Sequence, residues 1–242
     1  MRIYGINPVI EALRAGRARA VRVSPRADER LTAVVRLAEE RAVPVSRVTA
    51  DELDRLAGGA RNRHQGVVAE VEDATAFSVE DLVIGAKGAA LLVVLDGIED
   101  PQNVGAILRT VDAAGADGVV RQSRHAARLD GAAARASAGA VSHVKIAEVV
   151  NIARAIEDLK QAGVWTVGLA GDAPKSFDEV DLTLPTAVVV GAEGTGLRRL
   201  VRERCDWLVS IPMRGHVQSL NVSVATGIAV FEAVRQRRAV AK

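Results

Sequence analysis

The chain is poor in cysteine and in aromatic residues, and it has no long hydrophobic run. Its 242 residues include a single cysteine, Cys205, which excludes an internal disulfide framework and a zinc cluster built of several thiolates. Three Phe, two Trp and one Tyr are too few for base stacking on an aromatic platform to dominate nucleic-acid binding. No apolar run approaches the ~20 residues of a membrane span, and Glu11 interrupts the apolar stretch at the N-terminus, which argues against a signal peptide. We expect a cytoplasmic protein without a membrane partner.

Lysine is also scarce, since the chain has 27 arginines and five lysines, and the positive charge is uneven. Residues 1–70 hold 13 Arg and no Lys against nine acidic residues, whereas the remainder is slightly acidic. Arginine presents a planar fork of donors that suits phosphate, so this Arg-rich segment is a candidate for binding nucleic acid. A codon bias of the genome, which the abundant alanine also indicates, would give the same excess of arginine without such a partner.

Hydrophobic periodicity divides the chain into two α/β parts. Residues 1–71 predict a small domain of short strands and helices, residues 72–88 a linker, and residues 89–242 a larger domain of repeated strand–helix pairs. The apolar run at 91–95 is typical of a strand covered on both faces. The repeated pairs favour a mostly parallel sheet with helices on both faces, a fold that binds ligands at the carboxyl ends of its strands.

Three segments that follow predicted strands carry most of the candidate chemistry. They are residues 100–110 (DPQNVGAILRT), 191–197 (GAEGTGL) and 219–225 (SLNVSVA). None contains the Gly-Lys-Ser/Thr of a phosphate-binding loop, and the glycines of the second segment lack the GxGxxG spacing. A P-loop nucleotidase and a Rossmann dehydrogenase are therefore disfavoured. The four histidines show no metal-ligand spacing, so we expect no metal site.

These three segments, in this order and at this spacing, resemble the signature motifs of the SpoU family of RNA ribose 2′-O-methyltransferases, part of the SPOUT superfamily. Residues 4–9 (YGINPV) and 64–67 (HQGV) extend the resemblance into the first domain, and the whole chain resembles the bacterial 23S ribosomal RNA guanosine-2′-O-methyltransferases. The resemblance implies S-adenosylmethionine as cofactor, a homodimer, and an α/β sheet with a deep trefoil knot. It also implies that the first domain is an RNA-binding domain similar to ribosomal protein L30.

The resemblance also implies which residues are catalytic. They lie in the three motifs and are Asn103, Arg109, Glu193, Ser219 and Asn221. A guanidinium stays protonated in proteins, so we interpret Arg109 as a group that holds the substrate phosphate and stabilises the developing alkoxide, and not as an ordinary base. We interpret Glu193 as a carboxylate that orients Asn103, Arg109 or the substrate. The alternatives are structural: Asn103 and Ser219 as helix caps, Arg109 in a surface ion pair, and Glu193 beside a helix N-terminus.

The expected cofactor site combines apolar side chains with glycines, because a glycine lets a ligand approach the backbone closely. Its residues lie at or after the ends of three predicted strands and are Leu169, Ala170, Gly191, Gly194, Ile211, Met213 and Leu220. For Met213, a plain core position is the alternative. In the first domain, Arg61, Arg63 and His64 form the expected RNA-facing loop, for which a solvated charged turn is the alternative.

We therefore expect an S-adenosylmethionine-dependent enzyme that methylates the ribose of a guanosine in 23S ribosomal RNA. Transfer RNA or another ribosomal site is the nearer alternative, because the three motifs do not encode the target. A non-catalytic RNA-binding factor of ribosome assembly is the more distant alternative. The presence of every expected catalytic residue argues against that second alternative.

Overall fold

In the computed structural model the protein is described over residues 2–25, 29–59, 63–72, 77–124, 126–129 and 131–240. Its contacts group into two compact units. The first holds Met1–Ala74, Val104–Arg109 and Arg128–His143, and the second holds Thr75–Asn103, Thr110–Ala127 and Val144–Lys242. The domain boundaries at 71 and 88 stay a prediction. Within the described ranges, no helix is both long enough and apolar enough to cross a membrane.

Helices and strands alternate along most of the chain. The N-terminal elements are β1 (Arg2–Tyr4), α1 (Ile6–Arg14), β2 (Ala18–Val23), α2 (Glu29–Glu40), β3 (Val45–Arg47), α3 (Ala50–Leu56) and β4 (Val67–Val71). The elements that follow are α4 (Val79–Ile84), β5 (Leu91–Asp96), α5 (Pro101–Ala114), β6 (Gly118–Gln122), α6 (Gly131–Ala136), β7 (Ile146–Val149), α7 (Ile152–Gln161), β8 (Trp165–Leu169), β9 (Lys175–Ser176), β10 (Thr186–Gly191), α8 (Arg199–Arg204), β11 (Trp207–Ser210) and α9 (Val222–Val240).

The first unit is built on a four-stranded sheet of order β1-β4-β2-β3. Strand β4 pairs antiparallel with β1 and β2, and β2 pairs parallel with β3. In β2, Val21 and Val23 are buried and Arg22 between them is not, as the alternation of side chains along a strand requires. Gln65 joins the two motif stretches of this unit, because its Oε1 accepts the Ile6 amide at the start of α1 at 3.0 Å.

The second unit is built on a parallel sheet of order β7-β6-β5-β10-β8-β11-β9. Strand β5 lies inside this sheet, and every one of its residues is buried. The predicted α/β class with a mostly parallel sheet is therefore confirmed. The chain runs outward from β5 to β6 and β7 and later returns to place β10 on the other side of β5. The carboxyl ends of β5 and β10 thus form a switch point, where sheets of this kind bind ligands.

Helix α4 lies inside the segment that the sequence predicted as a linker. A capping box fixes its start: Ser78 Oγ accepts the Asp81 amide at 3.0 Å, and Asp81 Oδ2 accepts the Ser78 amide at 2.8 Å. The hydrogen bond from the Ser78 amide, with a second from its hydroxyl, holds the pKa of Asp81 below its ordinary value. The helix has one buried face, with Leu82 at its centre, and is too short for a clear helical period.

Helix α5 approaches α6 very closely at Gly105. A Cβ atom at position 105 would lie 2.4 Å from the Cβ of Ala136 and 2.6 Å from the carbonyl oxygen of Ala133. Distances this short leave room for glycine alone. Ile107 and Leu108 are fully buried on the same helix, so the helix that carries two of the expected catalytic residues is fixed in its packing.

Replacing Gly105 with alanine should therefore lower the free energy of unfolding. We expect a loss of about 1–3 kcal/mol for Gly105→Ala, because the new methyl group forces α5 and α6 apart. Urea unfolding followed by circular dichroism measures this loss. Gly88→Ala is the matched control, since a Cβ at position 88 has no atom within 4 Å. Equal unfolding midpoints for the two variants would show that the helices are not in this contact.

Candidate active site

The three motifs meet at the carboxyl edge of the parallel sheet, beside the switch point between β5 and β10. Asn103 lies in the first turn of α5, which follows β5. Glu193 lies in the glycine-rich loop after β10, and Asn221 lies directly before α9. Residues that are 90 and 118 positions apart in the chain are thereby brought within hydrogen-bond distance.

Asn103, Glu193 and Asn221 form a closed set of hydrogen bonds, which we call the polar triangle. Asn103 Nδ2 donates to Glu193 Oε1 at 3.0 Å, and Asn221 Nδ2 donates to the same oxygen at 2.7 Å. Asn221 Nδ2 also donates to Asn103 Oδ1 at 2.9 Å. Asn103 is only 6% exposed. Glu193 therefore orients both amides with one oxygen, and its Oε2 has no hydrogen-bond partner within the described ranges.

The helix caps around the triangle differ from the alternatives that the sequence left open. Helix α5 begins before Asn103 and is capped by Asp100, whose Oδ1 accepts the amide of residue 102 at 3.0 Å. Asn103 is therefore not a cap, and its amide is available for the triangle. At the start of α9 the cap is Asn221 and not Ser219, because Asn221 Oδ1 accepts the Ser223 amide at 2.9 Å.

A cavity of about 680 Å³, the first cavity, opens beside the triangle at the ends of β8, β10 and β11. Glu193, Ser219 and Asn221 contribute to its wall. All residues expected at the cofactor site line it, namely Leu169, Ala170, Gly191, Gly194, Ile211, Met213 and Leu220. The structure thus brings this set together, and the role of these residues in binding a cofactor stays a prediction.

The loop that separates β10 from α8 depends on Gly191. A Cβ atom at this position would lie 2.1 Å from the backbone carbon of Gly196 and 2.3 Å from the amide nitrogen of Leu197. The loop therefore folds back onto the end of its own strand, which places Glu193 at its tip. A bridge between Ala192 and Gly196 closes it.

Asp172 and Arg202 also line the first cavity. Arg202 donates to both carboxylate oxygens of Asp172, at 2.7 Å and 2.9 Å. This bidentate pair holds the pKa of Asp172 below its ordinary value and raises that of Arg202. The sequence predicts Ala170 at the cofactor site, but it carries no signal that pairs the turn after it with a residue on α8.

A second cavity of about 500 Å³ lies on the other side of the glycine-rich loop. It shares Glu193 with the first cavity, whereas Asn103 lines the second cavity only and Asn221 the first only. The polar triangle thus connects the two cavities. The residues that line the second cavity come from the β5–α5 connection, β6 and the glycine-rich loop, and are Asp96, Gly97, Ile98, Glu99, Asp100, Asn103, Gln122, Ala192, Glu193, Thr195, Gly196 and Arg198.

A buried carboxylate anchors the far end of the glycine-rich loop. Asp96, at the end of β5, is 0% exposed. Arg198 satisfies it, because Nε donates to Oδ1 at 2.6 Å and the backbone amide donates to Oδ2 at 2.8 Å. Both residues lie just outside the motifs, so the pair was not predicted. A charged residue directly after the apolar run at 91–95 was the available signal, since a buried charge at such a position needs a partner.

Arg109 is exposed on α5 and lines neither of the two cavities. Six residues of helix place it ~9 Å along the axis from Asn103 and roughly 120° around it. In the part of the chain that the structure describes, its guanidinium has no hydrogen bond and no ion pair. The structure therefore brings Asn103, Glu193, Ser219 and Asn221 to the first or second cavity but leaves Arg109 outside both.

The expected RNA-facing loop is described only in part. Arg61 lies outside the described residues, and Arg63 is exposed. His64 is engaged within its own unit: Nδ1 accepts the Gly66 amide at 3.0 Å, and Nε2 lies 3.2 Å from Asp54 Oδ1. These bonds require the proton on Nε2 and fix the conformation of residues 64–66. A role of the three residues in RNA binding stays a prediction.

A nucleophilic thiol and a bound metal ion are two other common sources of enzyme chemistry. Burial raises the pKa of the Cys205 thiol to about 12, so the only cysteine is not a nucleophile at neutral pH. Among the residues described, no group of three or more His, Cys, Asp or Glu side chains is placed to hold a metal ion.

Comparison with known protein families gives matches over both parts of the chain. Residues 90–231 match the model described as "SpoU rRNA Methylase family", and residues 2–76 match "RNA 2′-O ribose methyltransferase substrate binding". A Burkholderia protein named 23S rRNA (guanosine-2′-O-)-methyltransferase RlmB is 46% identical over 97% of this chain and 96% of its own length. A Mycolicibacterium gilvum protein named "uncharacterized tRNA/rRNA methyltransferase" is 45% identical over 98% of this chain and 76% of its own length.

Solved structures of the same kind are similar over nearly the whole chain. The SpoU methyltransferase AviRb from Streptomyces viridochromogenes, in complex with the cofactor AdoMet, has a TM-score of 0.82 and 26% identity, covering 99% of this chain and 91% of its own. An AdoMet-bound rRNA methyltransferase from Sinorhizobium meliloti has a TM-score of 0.77 and 26% identity, covering 97% and 86%.

The polar triangle predicts a pH-dependent defect in the variant Asn221→Asp. This change preserves the helix cap but places a second carboxylate against Glu193, so the folded protein retains a proton that the unfolded chain releases. The folded state then binds more protons, and stability falls as the pH rises. Because Glu193 is exposed, we expect a loss of only about 1 kcal/mol between pH 5 and pH 8, relative to the native chain.

Urea unfolding at the two pH values measures this loss. Asn221→Ser is the control, because serine also caps helices but adds no charge. A pH dependence of Asn221→Asp that matches the control would show that the triangle does not form.

Proposed function

Because this chain belongs to the SpoU rRNA methylase family, we propose that it transfers a methyl group from S-adenosylmethionine to the ribose 2′-hydroxyl of a guanosine in 23S ribosomal RNA. The family match and the relatives make it an RNA 2′-O-ribose methyltransferase. The observation that carries the proposal is the convergence of the three motifs on one polar triangle between two cavities. A guanosine of 23S rRNA is the target in the names of two relatives that match over nearly their whole length.

The first cavity fits S-adenosylmethionine. Its volume lies within the ~300–1,000 Å³ range of small-molecule sites, and its wall combines apolar side chains with exposed backbone of the glycine-rich loop. When bound, the cofactor supplies an electrophilic methyl group on a positively charged sulfur. Leu169, Ile211, Met213 and Leu220 offer apolar contacts, and the backbone of residues 170, 191 and 194 offers hydrogen-bonding groups.

The polar triangle and Arg109 serve the nucleophile. Negative charge grows on the ribose oxygen during the attack, so groups that stabilise an oxyanion accelerate the reaction. Glu193 Oε2 has no partner in the described part of the chain and is available to accept a hydrogen bond from the ribose hydroxyl. Arg109 lies outside both cavities of its own chain, so we infer that it holds the substrate phosphate and stabilises the developing alkoxide from the partner subunit of a homodimer. Ser219 and Asn221 lie near both the methyl acceptor and the cofactor.

We further propose a homodimer, a trefoil knot in the second unit, and a cytoplasmic location beside the ribosomal substrate. An exposed apolar stripe on α9 supports the dimer: Val224 and Phe231 are exposed, and Ile228 between them is half-buried. These positions share one helix face. Insertion of β10 between β5 and β8, and of β11 beside β8, is compatible with the knot.

Incubation with labelled S-adenosylmethionine and protein-free ribosomal RNA, followed by nucleotide-resolution mapping, tests the proposal. We expect label on the 2′-oxygen of a guanosine in 23S RNA. Label on a base nitrogen or carbon would contradict the chemistry. Label in transfer RNA alone would favour the alternative that the name of the Mycolicibacterium relative leaves open. Binding of RNA without methyl transfer would favour a non-catalytic assembly factor.

The position of Arg109 predicts a separation of catalysis from cofactor binding. Arg109→Ala should lower kcat by about 100–1,000-fold, the usual effect of removing one group that stabilises an oxyanion. Because Arg109 lines neither cavity, the Kd for S-adenosylmethionine should change by less than about tenfold. Steady-state kinetics and calorimetric titration measure the two quantities.

Arg199→Ala is the control for the Arg109 variant, since Arg199 is an exposed arginine paired with Glu203 on α8. It should leave kcat unchanged. A large loss of cofactor affinity in Arg109→Ala would instead place Arg109 in the cofactor pocket or in the support of the fold.

A further inference from the structure

The second cavity has no assigned ligand, although it opens on the same polar triangle as the first. Its volume of about 500 Å³ suits a small-molecule group such as one nucleoside. Glu193 lines both cavities, and the nearly buried Asn103 lines this one. A ribose held at the triangle would therefore have its base or its phosphates in the second cavity.

The charge of the second cavity excludes the phosphates. Four carboxylates line it, from Asp96, Glu99, Asp100 and Glu193, against the single guanidinium of Arg198. That guanidinium is already neutralised by the buried Asp96. The remaining field is negative and repels phosphate. The base is therefore the part of the nucleotide that the cavity can accept.

The cavity offers hydrogen-bond acceptors together with a fixed donor. The Glu99 carboxylate is exposed and has no partner within the described ranges. Arg198 is held in place by Asp96 and by Gln122, whose Oε1 accepts from Arg198 Nη2 at 2.9 Å. Its Nη1 has no partner in that part of the chain, so it is a rigid donor whose position costs little further entropy on binding.

Guanine is the base that matches this set. Its Watson–Crick edge presents two neighbouring donors, N1–H and the N2 amine, beside one acceptor, O6. A carboxylate accepts both donors at once, and a guanidinium donates to O6. Adenine presents a single amine donor on this edge, and in uracil and cytosine acceptors outnumber the one donor position. These bases would leave the carboxylate unpaired or facing an acceptor.

We propose that the second cavity binds the guanine base of the target nucleotide, with Glu99 accepting from N1–H and the N2 amine and Arg198 donating to O6. This assignment rests on the proposed function and names the residues that select guanosine. The ribose then lies at the polar triangle, between the base in the second cavity and the cofactor in the first.

The test compares two synthetic RNA segments that carry the mapped target as guanosine or as inosine, which lacks the N2 amine. The full-length protein should methylate the inosine RNA with a kcat/KM about tenfold lower. Glu99→Gln should lower kcat/KM on the guanosine RNA by about 10–100-fold, the usual discrimination of one bidentate contact to a base. On the inosine RNA the same variant should lose less, so its preference for guanosine falls toward unity.

Two further measurements separate base recognition from indirect effects. The Kd for S-adenosylmethionine should stay within about twofold in Glu99→Gln, because Glu99 does not line the first cavity. Glu203→Gln removes the same charge from α8, outside both cavities, and should retain the native preference for guanosine. Equal losses on both RNA segments, or an unchanged preference in Glu99→Gln, would overturn the assignment.

Equilibrium binding of the free nucleosides guanosine and inosine distinguishes failure of this inference from failure of the proposed function. Without methyl transfer to any RNA by the native protein, the proposed function fails and no target is mapped. Tighter binding of guanosine than of inosine that depends on Glu99 would still support the base site in that case, and equal binding of both nucleosides would reject it.

Discussion

The amide of Asn103 is the group on which the organisation of the site depends. Burying such an amide without partners costs about 1–3 kcal/mol, so the fold has to supply a donor and an acceptor at this point. Glu193 and Asn221 supply them, and they come from loops after β10 and before α9 that have little regular structure of their own. Satisfying one buried side chain therefore fixes two loops against the first turn of α5.

The glycine-rich loop is held at both ends by polar contacts of this kind. At its tip, Glu193 joins the polar triangle, and at its far end Arg198 satisfies the buried carboxylate of Asp96. Between them, Gly191 allows the backbone to fold onto itself more closely than any other residue would. The loop is thus a thin and firmly anchored wall between the two cavities. Residues 192, 193, 195 and 196 of the loop line both cavities, so the carboxylate of Glu193 can face both.

Local pattern predicted the elements well where they are long and their apolar face is continuous. The run at 91–95 reappears as β5, and Gly115 ends α5 with a φ of 66°, as the usual left-handed cap does. Helix α4 was missed, and its segment was predicted as a linker, because six residues are too few to show a helical period. Asn103 as a helix cap stayed open as an alternative because Asp100 and Asn103 are equally good caps in isolation, and only the tertiary partners of Asn103 decide between them.

Some residues of the site belong to the three motifs, whereas others become neighbours only in the folded protein. The motifs name Glu193 and Asn221, but nothing in their sequence states that one oxygen of Glu193 accepts both asparagine amides. The second cavity is less visible still, since Glu99, Gln122 and Arg198 belong to three segments and become neighbours only at the switch point of the sheet. An acidic cavity is unexpected in a protein that binds RNA. The explanation lies in the difference between contacts to phosphates and contacts to bases.

Phosphate contacts position a nucleic acid, and base contacts specify it. The charge of this chain is distributed accordingly: residues 1–70 hold 13 arginines against nine acidic residues, while the second cavity is lined by four carboxylates and one arginine. A basic cavity at the triangle would bind any stretch of backbone, and the ribose of every nucleotide would have equal access. An acidic cavity admits a nucleotide only when two donors on its base form hydrogen bonds that offset the cost of desolvating the carboxylates. Repulsion of the backbone is then itself a source of selectivity for guanosine.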